Sequence, residues 1–125
     1  MNVALDIDGT ITRDPAFFAL LSRAVRASGG KVIVVTSRAD APGVRETTRR
    51  ELEDYGIEYD ELVVIPEGQN RIPCPHAGLD WYERYLWQKL QVCLDRDVDV
   101  AFEDDPKVID LFRRFAPGIA VFHVT

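Results

Sequence analysis

Cysteine, methionine and long apolar runs are scarce in this sequence. Only two of its 125 residues are cysteine, Cys74 and Cys93, too few for the framework of bridges that stabilises small secreted domains. No apolar run approaches the roughly 20 residues needed to span a bilayer, and no basic segment followed by a long apolar one indicates a secretory signal. We therefore expect a cytoplasmic protein with reduced thiols and no membrane partner.

An excess of positive charge is also lacking. The chain has 15 Lys and Arg against 21 Asp and Glu, a formal net charge of -6. Nucleic-acid backbones are held by clustered Lys and Arg, so this balance counts modestly against a nucleic-acid partner. No repeat and no Pro/Gly/Ser-rich linker divides the chain, and 46% of its residues are apolar. These features predict a single domain over residues 1–125.

Short apolar runs alternate along the chain with longer amphipathic stretches. We predict helices at residues 15–28, 42–55, 79–94 and 106–115, and strands at residues 3–7, 31–36, 61–66, 98–102 and 119–124. This alternation predicts a three-layer, Rossmann-like α/β fold with a mostly parallel five-stranded sheet, in the order 5-4-1-2-3. In the first helix, helical spacing predicts a buried face made of Phe17, Leu20, Leu21, Ala24 and Val25.

Polar and charged side chains follow three of the predicted strands. The first strand ends in Asp6 and Asp8, the second in Thr36, Ser37 and Arg38, and the fourth in Glu103, Asp104 and Asp105. Ligands of parallel α/β sheets bind beyond the carboxyl ends of the strands, so these groups should converge on one crevice. The converging carboxylates would repel one another. Mg²⁺, which takes carboxylate, water and phosphate oxygens, would remove that conflict.

Four short stretches together resemble a known family. "DIDGT" after a strand, the strand-ending Thr36, the later Lys89 and a strand ending in "EDD" resemble the four motifs of the haloacid dehalogenase (HAD) superfamily of phosphohydrolases, in the family's order. The resemblance implies a Mg²⁺-dependent phosphomonoester hydrolase. Asp6 would be the nucleophile that forms an aspartyl-phosphate, and Asp8 the general acid and then the general base.

The resemblance also implies binding roles. Asp104, together with Asp105, would hold Mg²⁺ with Asp6 and the backbone carbonyl of Asp8. Thr36 and Ser37 would bind the phosphoryl group, and Lys89 would neutralise charge on Asp6 and the phosphate. Arg13 and Arg38 are candidates for binding anionic parts of the phosphorylated substrate. Two points stay open: Glu103 stands where the family often has glycine, and Arg71 or Arg84 could replace Lys89 if the helix is rotated.

Cap domains of this family enter after the first or the third strand. Residues 7–14 are too short for a cap, and residues 66–79 allow a loop that could act as a minimal lid. We therefore expect a capless member. The third helix carries Trp81, Tyr82, Tyr85 and Trp87 on more than one face. Trp81 or Tyr85 would meet the substrate or a partner subunit, as in a homo-oligomer, or would pack beneath the loop.

Two other kinds of protein deserve comparison. Receiver domains also combine acids, a Thr or Ser, a Lys and Mg²⁺, but their phosphate-accepting Asp ends the third strand, which here ends in Ile65 and Pro66. A family member without turnover would instead be a non-catalytic or partner-dependent phosphate-binding protein. Cys74 and His76 form only a weak zinc signal, because no second pair of ligands lies nearby.

Overall fold

A computed structural model describes residues 1–125 as four helices and a five-stranded sheet. The strands are β1 (Val3–Leu5), β2 (Val32–Thr36), β3 (Glu61–Val64), β4 (Val100–Glu103) and β5 (Ala120–His123). The helices are α1 (Pro15–Ala27), α2 (Val44–Asp54), α3 (Trp81–Asp95) and α4 (Pro106–Phe115). Every predicted helix and strand is present, with ends that differ by a few residues.

The sheet has the predicted topology. Its order is β3-β2-β1-β4-β5, and all four neighbouring pairs are parallel. The central strand β1 places Leu5 opposite Val34 of β2 and Phe102 of β4. Asp6 therefore leaves the sheet at its carboxyl edge, between the two strands that carry the other predicted site residues.

Two apolar layers cover the sheet. On one side, Leu86 and Leu90 of α3 and Phe112 of α4 pack with Ile33 and other residues of the sheet. On the other side, helices α1 and α2 contribute to a cluster that contains Phe18, Ala19, Leu52, Leu5 and Val34. Neighbouring residues of β2 enter opposite clusters because side chains alternate along a strand. The three-layer prediction is confirmed.

The predicted buried face of α1 is partly wrong. Phe17 is 47% exposed and Leu20 is 61% exposed, whereas Phe18 and Ser22 are buried. The Ser22 hydroxyl donates to the Ala19 carbonyl and accepts from the Glu58 backbone N–H. A buried hydroxyl that makes both bonds costs little. Ser22 therefore faces the core, and Phe17 and Leu20 face outward.

No cap domain is present. Between β1 and α1 the chain forms one short 3₁₀ turn, Ile11–Arg13, and between β3 and α3 it forms another, Gly68–Asn70. None of the helices is long and apolar enough to span a membrane. Only loops and the start of α3 therefore lie near the carboxyl edge of the sheet.

Candidate active site

Asp6 and Lys89 form a buried ion pair at the end of β1. The Lys89 ammonium reaches from α3 and donates to Asp6 Oδ1 at 2.9 Å. The Thr10 hydroxyl donates to Asp6 Oδ2 at 3.1 Å. Arg84, one of the alternatives to Lys89, instead donates to the Leu79 carbonyl, and Arg71 lines a neighbouring cavity. The helix thus presents Lys89 to the predicted nucleophile.

Glu103, whose role the sequence left open, is a buried partner of the same lysine. Its Oε2 accepts a second bond from Lys89 Nζ at 3.0 Å. Its Oε1 accepts the backbone N–H groups of Asp104 at 3.1 Å and Asp105 at 3.2 Å. Glu103 therefore fixes both the lysine and the backbone turn that follows β4.

Burial dominates the protonation of this cluster. It raises the pKa of Asp6; the Lys89 ammonium opposes that rise, and the neighbouring Asp104 adds to it. Burial also raises the pKa of Glu103 to about 7, again opposed by Lys89. Burial disfavours the charge on Lys89, but Asp6 and Glu103 outweigh it and raise the pKa of Lys89 above its ordinary value. The lysine therefore stays charged.

The acidic residues at this edge could hold a metal ion. Carboxylate oxygens of Asp6, Glu103 and Asp104 lie within 4.8 Å of one another. The Asp104 carboxylate lies close enough to Asp6 to add to the rise in the pKa of Asp6. It sits against Gly9, which has a positive φ of 83° and where any Cβ would overlap that carboxylate. Three acids face a single lysine, so the set has the oxygen donors and the excess negative charge that a hard divalent cation requires.

The other two predicted metal ligands use their carboxylates elsewhere. Asp105 Oδ1 accepts the Lys107 backbone N–H at 2.9 Å and so caps the start of α4. The Asp8 carboxylate faces Arg38. Asp8 and Asp105 still line the same cavity of about 310 Å³ as Asp6, Lys89 and Asp104.

Asp8 and Arg38 form a two-bond ion pair at the mouth of this cavity. Arg38 Nε and Nη2 donate to the two Asp8 oxygens at 2.9 and 2.8 Å. The same guanidinium donates to Glu51 Oε2 at 2.6 Å, and the Tyr55 hydroxyl donates to Glu51 Oε1 at 3.1 Å. Hydrogen bonding from Arg38 lowers the pKa of both Asp8 and Glu51.

We call the cavity of about 310 Å³ the acidic cavity. Not all of the remaining predicted residues line it. Ser37 lines it. Thr36 is buried at the end of β2, where its Oγ1 accepts the Arg38 backbone N–H at 3.1 Å. Arg13 lies apart: its Nε donates to the Thr125 carbonyl at 3.2 Å, and it lines a separate cavity beside Phe122.

Two residues near the site, Thr10 and Glu51, were given no role in the sequence analysis. Thr10 binds the predicted nucleophile, and Glu51 binds Arg38. Thr10 had a local signal, because it directly follows the Asp-Gly turn of the first motif. Glu51 had none, since it lies on a charged helix face. The weak zinc signal is explained by packing: the His76 ring stacks on Phe115, with ring centroids 3.9 Å apart.

Two solved structures contain a chain with a fold similar to this one. No family model and no curated protein sequence matches the chain. A chain in the structure of the Pnkp1/Rnl/Hen1 RNA repair complex is 24% identical, with a TM-score of 0.66, over 98% of this chain and 42% of that one. A second structure, of the Pnkp1/Rnl/Hen1 complex, is 24% identical with a TM-score of 0.64, over 98% and 45%. This chain spans less than half the length of either.

Proposed function

We propose that the protein is a Mg²⁺-dependent phosphomonoester hydrolase that works through an aspartyl-phosphate. The observation that carries the proposal is the position of Asp6. Its carboxylate ends the central strand, is held by Lys89 and Thr10, and shares a cavity with Asp104 and Asp8. The likeness to HAD motifs supports the same assignment.

The reaction divides between Asp6 and Asp8. An Asp6 oxygen forms a bond to phosphorus, the bond from phosphorus to the ester oxygen breaks, and Asp8 gives that oxygen its proton. Asp8, now a carboxylate, takes a proton from water. The resulting hydroxide attacks phosphorus, inorganic phosphate leaves, and Asp6 is regenerated. Lys89 stabilises the negative charge on Asp6 and the transferring group, and Thr36 and Ser37 bind that group.

Asp6 and Asp104 would hold Mg²⁺, with Asp105 and the Asp8 backbone carbonyl as further proposed ligands. When bound, the ion neutralises negative charge on the phosphate and the carboxylates. Glu103 is a positioning residue in this scheme, because both of its oxygens already hold Lys89 and the turn after β4.

The ion pair between Asp8 and Arg38 must open before Asp8 can act as an acid. Arg38 lowers the pKa of Asp8, so the paired carboxyl holds no proton to give. An incoming phosphate ester carries the negative charge that can replace Asp8 as the partner of Arg38. Substrate binding would thereby release Asp8, which takes up a proton from solvent and then gives it to the ester oxygen. This gives Arg38 its proposed substrate-binding role; for Arg13, the structure shows only a place in a neighbouring cavity.

The test is phosphate release from an aryl phosphate, then from sugar phosphates, nucleotides and 3′-phosphorylated oligonucleotides. The last group is included because one of the structurally similar chains comes from an RNA repair complex. Each substrate is tested with Mg²⁺, with EDTA and with Asp6→Asn. Asp54→Asn, which removes an exposed carboxylate on α2, is the matched control.

We expect release that needs Mg²⁺, disappears in Asp6→Asn and is unchanged in Asp54→Asn. Titration calorimetry with Mg²⁺ is run in parallel, so that a failure of binding is separated from a failure of turnover. If Mg²⁺ binds and no compound releases phosphate, the hydrolase assignment is wrong. The alternative, a non-catalytic or partner-dependent phosphate-binding protein, would then be favoured.

A further inference from the structure

A second and larger cavity lies next to the acidic one. It measures about 600 Å³, between the loop of residues 66–79 and the start of α3, and it is lined by Glu67, Gly68, Gln69, Arg71, Trp81 and Tyr85. The proposed reaction uses none of these residues. We call this space the aromatic cavity.

Trp81 is the most exposed of the aromatic residues that line or border this cavity. Its surface is 69% exposed, whereas the protein's other tryptophan, Trp87, is 3% exposed. Of the two alternatives for Trp81, the exposure favours contact with a ligand or partner over packing beneath the loop. The Trp81 and Tyr85 rings are parallel within 8°, with centroids 6.3 Å apart, so their faces point the same way. Large exposed aromatic surface of this kind is typical of binding sites.

The aromatic cavity lies beside the acidic one along α3, and Tyr85 and Ser37 stand between the two. Trp81, Tyr85 and Lys89 follow one another at intervals of four residues, so they form one stripe along α3. With a rise of about 1.5 Å per residue, Tyr85 lies about 6 Å and Trp81 about 12 Å along the helix axis from Lys89. The Tyr85 hydroxyl also donates to the Ser37 carbonyl at 3.2 Å, and Ser37 lines the acidic cavity. A ligand anchored at Asp6 can therefore extend over the two rings.

The polar groups of the aromatic cavity suit the edge of a heterocycle. The Arg71 and Gln69 side chains make no hydrogen bond or ion pair within the chain, so their donors are free. The Glu67 carboxylate adds an acceptor. Aromatic faces stack on planar bases with little regard to sequence, and an arginine can also stack or donate. With a net charge of -6 and Arg71 as the one cation in its lining, the cavity suits one base better than a long phosphate backbone.

We propose that the substrate carries a nucleobase, which stacks on Trp81 and Tyr85 while the phosphate lies at Asp6. This inference deepens the proposed function and rests on it for the position of the phosphate. The base can belong to a free nucleotide or to the phosphorylated end of an oligonucleotide, since both present the same flat ring beside a phosphate. A sugar phosphate presents no such ring.

The first experiment measures binding without turnover, in the Asp6→Asn protein with Mg²⁺. Adenosine and guanosine monophosphates, ribose 5-phosphate and a short 3′-phosphorylated oligonucleotide are titrated while tryptophan emission is recorded. We expect the base-containing ligands to quench emission and ribose 5-phosphate to leave it unchanged. Adding Trp81→Phe, which keeps a ring but removes the exposed indole, should abolish the quench while calorimetry still detects binding. Equal affinity by calorimetry for nucleotide and ribose 5-phosphate would overturn the proposal.

The second experiment uses proteins that keep Asp6. It measures kcat/KM for a nucleotide and for ribose 5-phosphate. Loss of one base-stacking contact typically weakens binding by about 5- to 140-fold. We expect Trp81→Ala to lower the ratio of the two kcat/KM values by about tenfold. The control Leu20→Ala, which truncates an exposed side chain on α1 on the opposite side of the sheet, should leave the ratio unchanged. An unchanged ratio in Trp81→Ala would contradict base stacking.

The two experiments separate this inference from the hydrolase assignment. Sugar phosphates hydrolysed without nucleotide preference or quench would overturn the base site and leave the hydrolase intact. Nucleotide quenching without hydrolysis of any compound would support the base site and overturn the hydrolase. Quenching by both the mononucleotide and the oligonucleotide supports the base site with free nucleotides as a source. Quenching by the oligonucleotide alone supports it with a chain end as the source.

Discussion

Two clusters at the edge of the sheet have the same composition, two carboxylates around one cation, and different surroundings. In the buried cluster, Lys89 lies between Asp6 at 2.9 Å and Glu103 at 3.0 Å. In the exposed cluster, Arg38 lies between Asp8 at 2.8 Å and Glu51 at 2.6 Å. The distances are similar, but the Lys89 and Asp6 side chains are 5% and 8% exposed, whereas those of Arg38 and Asp8 are 20% and 64% exposed.

The difference in burial reverses the behaviour of the acids. Desolvation raises the pKa values of Asp6 and Glu103 although a lysine touches both. Hydrogen bonding to Arg38 lowers the pKa values of Asp8 and Glu51. A buried pair is costly to separate, whereas an exposed pair is worth little. The buried cluster can therefore hold a nucleophile in place, and the exposed one can release Asp8, which takes up a proton from solvent before it acts as an acid.

Lys89→Met should cause the largest effect, because it leaves two buried carboxylates without their cation. Loss of one partner from a buried pair costs about 3–5 kcal/mol, so we expect the free energy of unfolding at pH 8 to fall by that amount. The loss should shrink as the pH is lowered and Asp6 and Glu103 take up protons. Urea unfolding of the metal-free protein measures it. Lys31→Met, at an exposed lysine, is the control and should change stability by less than about 0.5 kcal/mol.

Glu103→Gln should change how the free energy of unfolding depends on pH, because the carboxyl it replaces has a raised pKa. The folded-state pKa of Glu103 is about 7, above its ordinary 4.5, so the stability it contributes is present below about pH 4.5 and lost as the pH rises to about 7. The variant lacks that loss. Relative to the unmodified protein, it should therefore gain at most about 3 kcal/mol between these two pH values. Unfolding curves in EDTA measure the difference, and a flat difference would show that Glu103 titrates normally.

Magnesium should stabilise the protein through the buried cluster and not the exposed one. A ligand that binds only the folded state adds about 2.7 kcal/mol at a hundredfold excess over its Kd. We expect this rise in unfolding free energy on adding MgCl₂, and its loss in Asp104→Asn. Glu51→Gln, which changes only the exposed cluster, should keep it. Retention of the rise in Asp104→Asn would place the ion elsewhere.

Arg38→Met should have the smallest effect on stability and a clear effect on Asp8. The Arg38 side chain is 20% exposed and its partners Asp8 and Glu51 are 64% and 29% exposed, so the free energy of unfolding should fall by less than the roughly 3–5 kcal/mol of a buried pair. Without the guanidinium, the pKa of Asp8 should rise towards its ordinary value. Carbon-detected NMR of the carboxyl during a pH titration measures this shift. An unchanged Asp8 titration would mean that the two side chains are not paired in solution.

The sequence was sufficient to predict the strand order and the meeting of Asp6, Lys89 and Asp104. Buried parallel strands read as continuous apolar runs, and the residue types that follow them are visible directly in the chain. It was harder to predict which side chains of a helix face the core. The buried Ser22 and the exposed Leu20 depend on a hydrogen bond to the segment after α2, which no local pattern contains.

The roles of Glu103 and of the Arg38 pairs depend on side-chain direction, which the sequence does not encode locally. An acid after a strand can face a metal, a lysine or the backbone, and Glu103 takes the last two. Arg38 was predicted from the sequence only as a candidate for binding anionic parts of the substrate. Its partner Glu51 lies 13 residues further along, on a helix face that resembles any solvated surface.

The central position of β1 has a consequence for biosynthesis. Val3 pairs with Val32 on one side and with Val100 on the other, so the second neighbour of the first strand is made only after α2, β3 and α3. Domains generally fold as units during synthesis. A nascent chain that ends before α3 would contain Asp6, Asp8 and Arg38 but neither Lys89 nor Asp104. Synthesis itself would thus delay the acidic cavity until β4 and Asp104 have been made.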